Sequence, residues 1–241
     1  MIYIIIFLGL FFFSIGFILT KKNAKYLLAG YNTMSEEERK KVNLHTYLPY
    51  FRNFHVFLGV SFTAIGLILY YFTNENISGI FIASYPILAY MYFIWKGAKY
   101  SYHKNKKYHK IGVYILGATL IFVLCMVYIG LQNDELQIEN DQIELQGSYG
   151  EKISFAEIKE IKLVESLPKI TNKLHGFAMD KSYKGIFKTQ NGERVKLILN
   201  SESSPYILII KSDNKKIYFS SKNQSNQLIY NEIIENLNKL N

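Results

Sequence analysis

One cysteine, five histidines and scattered serines are the residues of this chain that could serve as nucleophiles, bases or soft metal ligands. Cys125 stands alone inside an apolar run, so there is neither a disulfide framework nor a cysteine-based zinc site. His103 and His109 are six apart, off the i, i+4 spacing that puts two imidazoles on one helix face. The serines of Ser201-Glu202-Ser203-Ser204 read as a turn, with no histidine close in sequence. No nucleophile elbow, phosphate-binding glycine loop, zincin motif or paired-carboxylate motif occurs. The expectation is a protein without catalytic residues, metal or cofactor.

Three segments could instead bind through charge. Residues 166–184 carry Lys169, Lys173, His175, Asp180, Lys181 and Lys184, with Phe177 and Met179 between them. Cations on a tethered loop near a bilayer attract phosphate. The stretch therefore reads as a strand connection in which Lys169, Lys173, His175, Lys181 and Lys184 contact an anion or headgroup. Residues 30–38 read as a partner-docking loop, with Gly30, Tyr31, Asn32, Ser35 and Glu38 as its candidate residues. Ser35 to Glu38 also has the form of a capping box, in which the serine caps a helix start and Glu38 reaches back. Residues 96–110 hold six lysines interleaved with Tyr100, Tyr102, His103, Tyr108 and His109. Basic residues among aromatics suit an anionic membrane surface and would suit RNA too. A segment of 15 residues tethered at both ends by apolar runs favours the membrane, so no nucleic-acid partner is expected.

The elements that must position these groups divide the chain in two. Of 241 residues 49% are apolar and 16% aromatic, and the net charge is +9. Residues 1–131 hold 13 basic and 4 acidic side chains, which accounts for the whole excess; residues 132–241 hold 15 of each. Four runs free of Lys, Arg, Asp and Glu, at 2–20, 54–73, 78–95 and 111–131, are each long enough for a helix to cross a hydrocarbon core. They predict a four-helix transmembrane domain over 1–131. The first run has no basic start and no small-residue cleavage site, so it reads as a retained span rather than a signal peptide. Seven basic residues lie in 21–53 and six in 96–110, whereas 132–150 has none and five acids. The positive-inside rule then puts both basic loops in the cytoplasm, with the N-terminus and everything after Leu131 outside. Pro86 should kink the third span. Gly59 with Thr63, and Gly79 with Ala83, could let helices approach closely. Without an acid, base or cation relay in these spans, a proton-coupled transporter is disfavoured.

From Glu135 onward the apolar residues alternate, as in half-buried strands. Strands are predicted at 136–139, 142–146, 152–155, 158–164, 185–189, 194–199, 206–211 and 216–220. Asn191-Gly192 and Asp213-Asn214 are hairpin turns. An amphipathic helix over 224–240, with Ile229, Ile233, Leu237 and Leu240 on one face, closes the chain. Residues 132–241 are thus expected to form an α+β domain, a small barrel or sandwich capped by a C-terminal helix.

Two resemblances attach to these residues. Leu28-Ala29-Gly30-Tyr31-Asn32-Thr33-Met34-Ser35-Glu36-Glu37-Glu38, between the first two spans, resembles a small bacterial membrane domain of unknown function that carries a GYNTMSEEE loop. It covers roughly 1–73 and implies topology and a bacterial origin, with no activity. Ile153-Ser154-Phe155-Ala156-Glu157-Ile158, Gly176, Tyr183-Lys184-Gly185-Ile186-Phe187 and the closing strand and helix resemble the bacterial pleckstrin-homology-like (PH-like) domain, over roughly 133–239. That resemblance implies a scaffolding or sensing module attached to membrane helices, usually on the cytoplasmic side, against the charge-derived orientation. The turns at Asn140-Asp141 and at 148–151 lack the basic cluster of phosphoinositide binders. The combined expectation is a multi-pass protein of the bacterial cell membrane with a non-catalytic binding, scaffolding or sensing domain. Its partners would be the bilayer, anionic lipid headgroups at the basic loops, and a protein. The alternatives are a channel or transporter subunit, and an accessory subunit of a membrane complex.

Overall fold

The computed structural model describes residues 1–28, 31–100, 107–139, 141–179 and 181–240. The chain divides into two compact units, Met1–Cys125 and Met126–Asn241.

The first unit is helical. Helix α1 (Ile2–Ile18) is apolar on every side, as a lipid-facing helix is. A single turn, α2 (Ala24–Leu27), follows it. Helix α3 (Glu36–Lys41) starts at the predicted capping box: Ser35 Oγ accepts from the Glu38 amide at 3.3 Å, and the Ser35 amide donates to Glu38 Oε2 at 2.9 Å. Its acids sit in the first turn and its bases in the last, each matched to the helix dipole. Helix α4 (Leu44–Phe72) begins ten residues before the charge-free run, because Asn43 caps it by accepting from the Thr46 amide and Pro49 lies only in its second turn. Helix α5 (Glu75–Gly97) is capped by Asn74 and passes through Pro86 without a break in helical structure. A 3-10 turn, Ala98–Tyr100, ends it. Helix α6 (Lys107–Leu131) completes the set, its last residues belonging to the second unit. Among the described residues, three segments are long and apolar enough to cross a membrane: Leu44–Phe72, Glu75–Tyr100 and His109–Leu131. With 17 residues, α1 is a shorter apolar helix.

Helices α1 and α4 pack backbone against backbone. The buried residues of α4 are His55, Leu58, Gly59, Phe62 and Gly66, a single stripe at helical spacing. A Cβ on Gly59 would fall 2.6 Å from both the Gly9 carbonyl oxygen and the Phe13 nitrogen, so only glycine permits this crossing. Phe62 fills the space beside it, edge-on to Phe12 and stacked on Phe81.

Among its described residues the second unit holds nine strands and, after the end of α6, one helix. Strands β1 (Leu136–Glu139), β2 (Gln142–Leu145) and β3 (Glu151–Ser154) form an antiparallel sheet, with Ile143 opposite both Ile138 and Ile153. Six further strands follow: β4 (Ile158–Val164), β5 (Ile170–Met179), β6 (Ser182–Thr189), β7 (Arg194–Leu199), β8 (Tyr206–Lys211) and β9 (Lys216–Ser220). Their order is β4-β8-β9-β7-β6-β5, antiparallel throughout except for the parallel pair β7–β9. The β8–β9 hairpin is inserted so that β9 lies beside β7, which leaves β8 outside it. Both faces of this sheet are buried. Ile198, Ile207, Ile209, Ile217 and Phe219 meet Ile143 and Ile153 of the small sheet and Ile229 and Ile233 of helix α7 (Asn226–Leu240). The alternate residues Leu197, Leu199, Leu208 and Tyr218 form a second cluster with Phe187 and Val195.

The sequence reading missed β5. The segment 166–184 is no loop: it contains a strand of ten residues paired with β6 and the start of β6 itself. Register shifts at 170/172 and 173/175 break the alternation that would have marked it, and five successive residues, Thr171 to His175, are exposed. Gly176 and Gly185 face each other across this hairpin with φ of 140° and 128°; a Cβ on Gly176 would lie 2.9 Å from the Gly185 Cα.

Candidate functional site

The most deeply buried charged group of the strand domain is Lys184, on β6. Its ammonium lies 3.0 Å from Asp134 Oδ1, and the two side chains are 2% and 4% exposed. It also donates to the Gln132 carbonyl. Asp134 precedes β1, and its backbone is clasped by Asn200: the Asp134 amide donates to Asn200 Oδ1 at 2.8 Å, and Asn200 Nδ2 donates to the Asp134 carbonyl at 2.7 Å. Asn200 Nδ2 further donates to the Ser220 carbonyl at the end of β9. Ser220 and Ser201 exchange bonds beside it. Asn226, at the start of α7, closes the cluster by donating to the Ser203 and Pro205 carbonyls and accepting from the Ser221 amide. This network ties residues 132–134 to β6, β7 and β9. Burial pushes the Asp134 carboxyl above its ordinary value, against the pull of Lys184. Asp134 Oδ2 is buried without a hydrogen-bond partner among the described residues, packed against Gly147.

The five residues predicted to share an anion site do not converge. Lys184 is already matched by Asp134. Lys169 and Lys181 lie at opposite ends of the β5–β6 hairpin, roughly 30 Å apart by strand rise. Lys173 and His175 are exposed along β5, and the His175 ring rests 5.3 Å from that of Tyr149. Asp180 lies outside the described residues, as do Asn140 and the 101–106 portion of the second basic loop.

Of the predicted docking residues, Gly30 lies outside the described residues, while Tyr31, Asn32, Ser35 and Glu38 come together around Arg39. The Arg39 guanidinium donates to the Tyr31 carbonyl at 3.1 Å and the Asn32 carbonyl at 2.9 Å, and lies 5.8 Å from the Tyr31 ring centroid. The turn is thus pinned to α3 by a side chain that the sequence reading counted as a loop charge and as a base toward the helix end.

Sequence reasoning also overlooked His55, which lies inside the second apolar run. It is buried in α4 among Phe51, Phe54, Tyr90 and Phe93. Nδ1 lies 2.7 Å from the Phe51 carbonyl, which can only accept, so Nδ1 carries a proton. Nε2 faces the Tyr90 hydroxyl at 3.3 Å. The apolar runs therefore do contain a potential base, but one spent on its own helix turn and on holding α5.

Where α5 gives way to charge, Lys96 donates to the Tyr92 hydroxyl at 2.6 Å and Lys99 lies over the Tyr100 ring at 4.7 Å. A hollow of about 380 Å³ opens there, lined by the end of α5 and the start of α6. Tyr50 packs below, its hydroxyl donating to the Phe93 carbonyl at 2.8 Å and its ring stacked on Phe93.

Residues 6–101 match the model of a domain of unknown function, DUF3784. The match takes in most of α1, the α3 turn, α4 and α5, and so reaches beyond the region of roughly 1–73 in which the sequence resembles a small membrane domain. No curated protein and no solved structure matches the chain.

Proposed function

We propose that this chain is a multi-pass protein of a bacterial cell membrane whose strand domain binds, scaffolds or senses without catalysis. The observation that carries this reading is that the cluster of buried polar side chains in the strand domain bonds within itself and to neighbouring backbone, Asp134 Oδ2 apart. Lys184, Asp134, Asn200, Ser220 and Asn226 hold the fold together, whereas a catalytic group must be left free to meet a substrate. In this proposal α1 is a fourth span. The PH-like reading of the strand domain rests on a small sheet and a larger sheet closed over one core by a C-terminal helix; the parallel β7–β9 pair sets it apart from an antiparallel meander. Loop charges support an external strand domain, because 96–110 is basic and 132–150 acidic. That orientation depends on α6 alone and holds whether or not α1 spans. The turn pinned by Arg39 is the proposed docking element for a protein partner.

The test is a pair of reporters fused after Asn241, one active only outside the cytoplasm and one fluorescent only inside. The expected result is external activity without internal fluorescence. Internal fluorescence alone would overturn the orientation, and reproducible hydrolase or transferase turnover by purified protein would overturn the non-catalytic reading.

A further inference from the structure

The hollow between the ends of α5 and α6 straddles the level at which both helices change from charged to apolar. On α5, Trp95 ends the apolar stretch and Lys96 and Lys99 follow; on α6, His109 and Lys110 precede Val113 and Tyr114. All of them line the same space. One side of it is cationic. The other is aromatic and open, with Trp95 69% and Tyr114 72% exposed. The sequence holds no acid between Glu75 and Asp134, and among the described residues no carboxylate pairs with Lys96, Lys99 or Lys110. These cations thus lack the carboxylate partners that Lys152, Lys184, Lys196, Lys211 and Lys216 of the strand domain have.

We propose that this hollow is a binding site for an anionic phospholipid, its phosphate held by Lys96, Lys99 and Lys110 and its glycerol and first methylenes laid against Trp95 and Tyr114. A free phosphate or an acidic peptide would meet the lysines but leave the aromatic side bare. A phospholipid covers both, and Trp and Tyr rings favour the headgroup level. Lys96 is held in place by its bond to Tyr92, so part of the cost of ordering the site is met before the ligand arrives. The proposal rests on the reading of the first unit as membrane-embedded. If that reading failed, the protein would purify without detergent before any lipid was added.

The experiment uses the full chain in detergent micelles, with native mass spectrometry to count bound phosphatidylglycerol, phosphatidylcholine or inorganic phosphate. The expected result is preferential retention of phosphatidylglycerol. Each surface lysine contributes about fivefold, so K96Q/K99Q/K110Q should lose on the order of 100-fold. The control K21Q/K22Q/K25Q, with the same loss of charge at exposed positions, should retain the lipid. K96R/K99R/K110R should also retain it. Affinity of the unaltered chain should fall as the Debye length shrinks from about 10 Å at 0.1 M salt to about 3 Å at 1 M, a check that needs no variant to fold. Equal retention of phosphatidylcholine, equal loss in the control, or salt-insensitive binding would overturn the site. Inorganic phosphate binding that the glutamine variant abolishes, without phosphatidylglycerol binding, would reassign it to free phosphate.

Discussion

Replacing Asp134 by alanine should be far more damaging than replacing the whole ion pair by apolar residues. At 3.0 Å the Asp134–Lys184 attraction is about 5 kcal/mol for an effective dielectric of about 20. Burying two ions costs several kcal/mol each, so the pair as a whole gains little over well-packed hydrocarbon. Alanine at 134 removes only the attraction. The Lys184 ammonium would stay buried with the Gln132 carbonyl as its recorded partner, at a cost of about 3–5 kcal/mol. The assay is amide hydrogen exchange of peptides from β6, β7 and β9 in the full chain. With tenfold per 1.4 kcal/mol, exchange through opening of this sheet should quicken by roughly a hundred to a few thousandfold in D134A. D134L/K184M should lie within about tenfold of the unaltered chain. A D134A effect below tenfold, or a double variant as labile as D134A, would refute the argument that an unpaired buried charge is what destabilises.

Glu151 and Asp134 should give pH slopes of opposite sign. Burial by itself would raise the Glu151 carboxyl, but Lys196 at 2.5 Å and Lys211 at 3.1 Å overcome it and hold Glu151 below its ordinary 4.5. Its stabilisation is present above pH 4.5 and lost as pH falls below that value, so Glu151→Gln should flatten the acid limb of a thermal melt. The Asp134 carboxyl is raised, so its contribution declines as pH rises from 3.8, and D134N should remove that slope. Gly59→Leu would drive a side chain into the α1 backbone and should lower the thermal aggregation midpoint in detergent. The cost is about 1–3 kcal/mol. Ser35→Ala should cost about 1 kcal/mol locally, read as faster exchange of the Glu38 amide, without moving the global midpoint.

The long apolar helices were legible because each contains a long charge-free run, and most strands because their apolar residues alternate. Asn191-Gly192 marks its hairpin through a glycine with φ of 82°, and the run after it opens in alternation, Arg194-Val195-Lys196-Leu197. The start of α4 was misplaced because Arg52 interrupts the charge-free run, whereas the helix is fixed by the Asn43 cap eight residues earlier in the chain than Phe51. Strand β5 was illegible because two register shifts destroy its alternation and its middle is solvated. The parallel β7–β9 pair was illegible for a different reason. Nothing in residues 200–205 distinguishes a link that steps over β9 from an ordinary hairpin turn; the distinction lies in Asn200 and Ser201 reaching Ser220 and Ser221. Lys184 looked like a surface cation because its partner lies 50 residues away, in a segment read only for its charge. His55 was passed over because the apolar runs were defined by the absence of four charged residue types, and histidine was not among them.

The same residue type does different work in the two units, and the placement of acids decides which. In the strand domain Lys152, Lys184, Lys196, Lys211 and Lys216 each lie within 4.0 Å of a carboxylate, and several of those pairs clamp one strand to another. Glu151 alone joins β3 to β7 and β8 through Lys196 and Lys211. Of the described cations along 166–184 only Lys184 is spent in this way, and the others are spread along the β5–β6 hairpin rather than gathered at one place. Between Glu75 and Asp134 there is no acid at all, and among the described residues no carboxylate pairs with Lys96, Lys99 or Lys110, which is why a lipid phosphate is proposed as their counterion. Charge that is balanced within the chain builds the strand domain, and charge left unbalanced marks the site proposed for a lipid.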